Sequence, residues 1–97
     1  MKAVMITYNQ VLEREIQELL DARSIRGFTR WVDIQGRGTE TGEPHLGTHT
    51  WPALNGAVMA VVDAEEVDGL LDALRALDEE YPDRGVRAFV WTLEAVM

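Results

Sequence analysis

Apolar residues change their spacing four times along this chain, and each change marks a boundary between a strand and a helix. Ala3 to Tyr8 alternates, with Val4, Ile6 and Tyr8 on one face and Ala3, Met5 and Thr7 on the other, as a half-buried strand does. Asn9 then stands as the N-cap of a helix running to about Arg23. Its Leu12, Ile16, Leu19 and Leu20 fall at i, i+4, i+7 and i+8 and form a single apolar stripe. Gly27 opens a second strand, about Phe28 to Gln35, rich in aromatic and β-branched residues. After a long loop, Leu54 to Val62 is almost wholly apolar and reads as a third strand covered on both faces. Asp63 and Glu66 have the spacing of a capping box, and Val67, Leu70, Leu71, Leu74 and Leu77 then recur at helical spacing. Pro82 and Gly85 end that helix, and Val86 to Leu93 forms the last strand.

The order β-α-β-β-α-β leaves few foldings open. Right-handed crossovers and antiparallel pairing give an α+β, ferredoxin-like sandwich, with four antiparallel strands and two helices on one face. The 97 residues suffice for one such domain, residues 1–97, with a modest core. Two helices cover only one side of the sheet. Trp31 and Asp33 share the parity opposite Phe28, Arg30, Val32 and Ile34, and Trp91 lies in a similar position on the last strand. A free sheet face carrying tryptophans predicts burial against another copy of the chain.

Function concentrates in the loop. Residues 36–52 hold four of the eight glycines, two of the three prolines and both histidines. Loops this long in small domains are usually functional or disordered, and Leu46 and Trp51 supply apolar anchors that favour order. Gly36, Gly38 and Gly42 let backbone N–H groups approach an anion closely, and Arg37 can add a bidentate contact. This spacing is neither the dinucleotide fingerprint nor the Walker loop. His45 and His49, with Glu43 or Glu40 for oxygen, make an alternative site for a divalent transition metal. Trp51, held by Pro52, is a rigid anchor for a partner groove or for its own sheet edge.

Several classes are excluded. With no cysteine there are no disulfides and no thiolate chemistry. A net charge of −8 opposes nucleic-acid binding. No apolar run approaches the roughly 20 residues of a membrane span, so the expectation is a cytoplasmic protein that is not itself membrane-embedded. Catalysis finds no obvious machinery: the single serine, Ser24, has no histidine near it in sequence, and the acids of the second helix read as caps and solvated surface.

The element order, with a long loop that opens Gly36-Arg37-Gly38-x-x-x-Gly42 between strands two and three, resembles the PII-like signalling proteins. The resemblance implies a homotrimer with its sheets facing inward. It also implies a T-loop, here about 36–53, that engages a protein partner such as a membrane transporter or an enzyme, and nucleotide bound in clefts between subunits. Gly36, Gly38 and Gly42 match the spacing of that family's loop base. Gly85-Val86-Arg87-Ala88-Phe89-Val90 resembles its phosphate-contacting entry to the last strand, which makes Arg87 a phosphate ligand. Thr39-Glu40-Thr41 stands where nitrogen-regulatory members carry Arg-Gln-Lys, and the uridylylated tyrosine is lacking. Control of nitrogen metabolism by ATP is therefore not implied. The expectation is a non-catalytic sensor that signals through the 36–53 loop, its effector a nucleotide-like molecule or a metal. Two alternatives stand beside it: a metal-handling trimer similar to CutA, using His45 and His49, and a dimeric α+β-barrel enzyme in which His45 or His49 and Trp51 line a pocket.

Overall fold

The computed structural model describes residues 1–36 and 54–97. Strand β1 (Lys2–Asn9), helix α1 (Glu13–Ala22), β2 (Phe28–Ile34), β3 (Asn55–Val62), α2 (Val67–Glu80) and β4 (Arg87–Thr92) follow one another in the expected order, with short 3-10 turns before both helices and after α2. The four strands form one antiparallel sheet in the order β2-β3-β1-β4. This is the ferredoxin-like arrangement.

The core lies between the helices and one sheet face. Val4, Ile6 and Tyr8 of β1 and Val58, Ala60 and Val62 of β3 pack in one cluster with Leu12, Ile16 and Leu20 and with Leu70, Leu74 and Leu77 of α2. The register puts Val4 opposite Ala60 and Val90, and Ile6 opposite Val58 and Ala88. These positions therefore share the helix side, because paired residues of antiparallel strands point the same way. Fully burying an aliphatic side chain is worth about 1.5–3 kcal/mol, so this single cluster dominates the stability of the fold.

Local chemistry sets the ends of the elements, and three details depart from expectation. The Asn9 side chain caps as expected, accepting from the Val11 N–H at 3.0 Å, but a 3-10 turn intervenes and α1 begins only at Glu13. At the other end α1 stops at Ala22. Ser24 enters the left-handed region at φ 59°, its N–H donates to Asp21 O at 3.0 Å, and the Ile25 N–H donates to Leu20 O at 2.9 Å. That is a Schellman stop, sealed by the burial of both Leu20 and Ile25. The expected capping box at Asp63 does not form: the Glu66 N–H donates to the Asp63 main-chain carbonyl at 3.0 Å, and no side chain caps the turn. The main chain already satisfies that donor.

The third departure matters most for the site. Strand β2 pairs regularly from Phe28↔Ala60 to Trp31↔Ala57, then re-enters at Ile34↔Asn55. One extra residue has been inserted, a β-bulge, with Asp33 at φ 56°. Simple alternation therefore fails beyond Trp31, and Ile34 returns to the parity of Trp31. Aspartate tolerates the left-handed region better than most residues do, which makes the bulge affordable there.

Candidate functional site

The sheet face away from the helices is apolar and open. Its rows run Trp91–Ala3–Val61, Phe89–Met5–Met59–Thr29 and Arg87–Thr7–Ala57–Trp31 across the strands. Trp31, Phe89 and Trp91 remain 42%, 55% and 43% exposed, so the two tryptophans are not core residues of the single chain. Small residues, Ala3 and Ala57, lie in register with Trp91 and Trp31.

At one end of this sheet lie the two feet of the 37–53 segment. Gly36 is partly buried, and a Cβ there would come within 2.7 Å of the Asn55 Nδ2. The close approach of the outgoing chain to the returning one accounts for a glycine at this foot. On the return, Gly56 pairs with Tyr8 and leaves room for its ring: an added Cβ would stand 2.8 Å from Tyr8 Cε2, Cζ and Oη. Tyr8 is fully buried. Burial holds its phenol above the ordinary pKa, the nearby Arg30 guanidinium opposes the rise, and Glu13 adds to it.

Arg30 ties this foot to α1 from the helix side. Its Nη2 donates to Gln17 Oε1 at 2.6 Å, its Nε lies 3.8 Å from Glu13 Oε1, and its guanidinium stands 5.0 Å from the centroid of the Phe28 ring. At the bulge, Gln10 pairs with Asp33 through two hydrogen bonds. Neither network was apparent in the sequence. The sole hint was an aspartate inside a strand, where that residue is disfavoured.

Of the residues singled out in the sequence, Gly36 and Arg87 lie among those described. Arg37, Gly38, Gly42, Glu43, His45, Leu46, His49 and Trp51 lie outside them. Arg87 opens β4, is exposed, and pairs with Thr7. It shares the sheet end of Gly36, since both lie beside the last residues of β1 and the first of β3. The two stand at opposite edges, however, because β2 and β4 are the outer strands. Three strand spacings separate those edges, about 14 Å. One protomer therefore does not bring Gly36 and Arg87 onto the same phosphate. Among the described residues, no three His, Asp or Glu side chains are grouped to hold a metal ion. No described helix is long and apolar enough to cross a membrane.

No protein-family model matches the chain, and no curated protein matches it in sequence. Its fold is that of PII-like proteins. CPII, a nitrogen regulatory PII-like protein from Thiomonas intermedia K12, solved with ADP, AMP and bicarbonate, is similar over 99% of this chain and 92% of its own, with a TM-score of 0.75 and 18% identity. CPII bound to ADP and bicarbonate gives a TM-score of 0.74 and 20% identity, covering 93% of this chain and 82% of that one. A candidate PII-like signalling protein from Thermus thermophilus is 23% identical with a TM-score of 0.63, covering 93% and 83% of the two chains.

Proposed function

We propose that this chain is a divergent PII-like sensor. Copies associate through the open sheet face, a small effector binds in the clefts between them, and the 36–53 segment reports its presence to a protein partner. The effector we favour is an adenine nucleotide. The observation that carries this reading is the similarity of the whole fold, over 99% of the chain, to a PII-like protein solved with ADP, AMP and bicarbonate.

The arrangement of residues supports it in two ways. The open face offers three partly exposed aromatic side chains, Trp31, Phe89 and Trp91, for burial against a second copy. In addition, Gly36 and Arg87 occupy the same end of the sheet at opposite edges. A cleft between neighbouring copies could unite the loop base of one, Gly36 with Arg37, Gly38 and Gly42, with Arg87 of the next. Glycine N–H groups and guanidinium forks suit a diphosphate. The role is regulatory rather than catalytic: the effector orders the segment from Glu43 to Trp51, with Leu46 and Trp51 as contacts for the partner.

Thermal stability against ADP, AMP, bicarbonate and divalent metals tests the proposal. A ligand at a hundredfold excess over its Kd adds about 2.7 kcal/mol, which in a domain of this size is a rise of roughly 10–20 °C. Stabilisation by ADP that disappears in Arg37→Ala and Arg87→Ala supports the sensor. Stabilisation by a transition metal alone, lost in His45→Ala or His49→Ala, would move the protein to metal handling. Indifference to every ligand counts against both.

A further inference from the structure

Gln10, the first residue after β1, reaches both feet of the 37–53 segment. Its side-chain Nε2 donates to Asp33 Oδ1 at 2.8 Å, and its Oε1 accepts the Asp33 backbone N–H at 2.5 Å. Its own backbone N–H donates to Leu54 O at 2.8 Å. Asp33 precedes the segment on the outgoing side, and Leu54 is the first residue after it.

The chemistry explains why a glutamine serves here. A β-bulge interrupts the ladder, so its extra residue loses a strand neighbour and needs another partner for its backbone N–H. A primary amide offers one acceptor and one donor, the same complement as a peptide group in the adjacent strand. Gln10 thus pairs with Asp33 as a missing strand would, while its main chain stays bonded to the returning foot. The turn carrying Gln10 is fixed in its own right, because Asn9 Oδ1 accepts from the Val11 N–H at 3.0 Å. Both feet are consequently referred to the 3-10 turn that precedes α1.

We infer that Gln10 is a positioning residue for the 37–53 segment: it holds the outgoing foot at Asp33 and the returning foot at Leu54 in fixed relation, so that a displacement of one is passed to the other. The consequence for signalling rests on the reading of that segment as the sensor's output. Gly36 already lies close to Asn55 of the returning foot, and Ile34 pairs with Asn55; Gln10 adds a second route, from Asp33 to Leu54.

Amide exchange followed by NMR, with ADP affinity measured on the same samples, tests this. The proteins are the wild type, Gln10→Ala, Gln10→Glu and the exchanged pair Gln10→Glu with Asp33→Asn. In Gln10→Ala the Asp33 amide exchanges about tenfold faster, as loss of such bonds implies. The Gln10-position amide, which reports on the Leu54 foot although its own bond is untouched, accelerates as well. Gln10→Glu is worse, since two carboxylates then face each other. The exchanged pair recovers, because the asparagine amide can donate to the glutamate carboxylate while that carboxylate still accepts the backbone N–H. ADP affinity follows the same order. An unchanged residue-10 amide in Gln10→Ala, or an exchanged pair no better than Gln10→Glu, overturns the coupling. A wild type that binds no ADP overturns the sensor reading instead, and the exchange rates still decide whether Gln10 links the feet.

Discussion

Placing a carboxylate at Phe89 should abolish the association proposed through the open sheet face while leaving the protomer folded. Phe89 occupies the open sheet face at 55% exposure, alongside Trp31 at 42% and Trp91 at 43%. A fully buried aromatic side chain removes 150–250 Å² from water, so these three still offer roughly 300 Å² together. At about 25 cal/mol per Å² that area is worth around 7 kcal/mol per copy before the costs of association. Phe89 contributes about 2–3 kcal/mol of it. Phe89→Asp forfeits that share and strands a charge in an apolar contact, a further cost of several kcal/mol. The combined loss exceeds a thousandfold in association, since each 1.4 kcal/mol is about tenfold. Within a single chain, Phe89 stands outside the core cluster on edge strand β4, so the fold survives. Sedimentation equilibrium over a wide concentration range, with circular dichroism on the same samples, reads both effects. The wild type should run at a multiple of 10.9 kDa and the variant at 10.9 kDa with its secondary structure intact. A wild type that sediments as a single chain at every concentration would refute the reasoning, and so would a variant that keeps the wild-type mass.

Two further outcomes follow from local geometry. Gly56→Ala drives a methyl against the fully buried Tyr8 ring at 2.8 Å, and overpacking of this kind costs about 1–3 kcal/mol; a calorimetric Tm within a degree of wild type would show that the Tyr8 ring moves freely. Ser24→Gly relieves the left-handed conformation at φ 59° without touching the Schellman bonds, and should stabilise by about 0.5–1 kcal/mol, read as a rise in the urea midpoint at constant slope.

Periodicity carried the fold because each element faces one core. Leu12, Ile16 and Leu20 at helical spacing, and Val4, Ile6 and Tyr8 at strand spacing, meet in one cluster as alternation and the 3.6-residue repeat require. The open face was legible for the same reason: Trp31 and Trp91 fall on the parity that the helices do not cover. Alternation lost its force at Asp33, where an inserted residue shifts the register and only an aspartate, disfavoured inside a strand, marks the site. The capping box at Asp63 was a fair motif defeated by a main-chain acceptor that reached the Glu66 N–H first. The candidate site was legible only in part. The family resemblance put Gly36 and Arg87 into one ligand set in clefts between subunits; strand order places them at opposite edges of the sheet, an arrangement that no local pattern contains. The Gln10–Asp33 pairing joins positions far apart in sequence, and beyond the strand aspartate it leaves no local trace.

Native mass spectrometry in the presence of ADP tests the central claim most directly, because it counts protomers and nucleotides in one particle. The account predicts an assembly of several 10.9 kDa chains carrying up to one ADP per chain, with nucleotide occupancy lost in Arg87→Ala while the assembly persists. A single chain without ADP, or an assembly that takes up ADP equally well without Arg87, would contradict it.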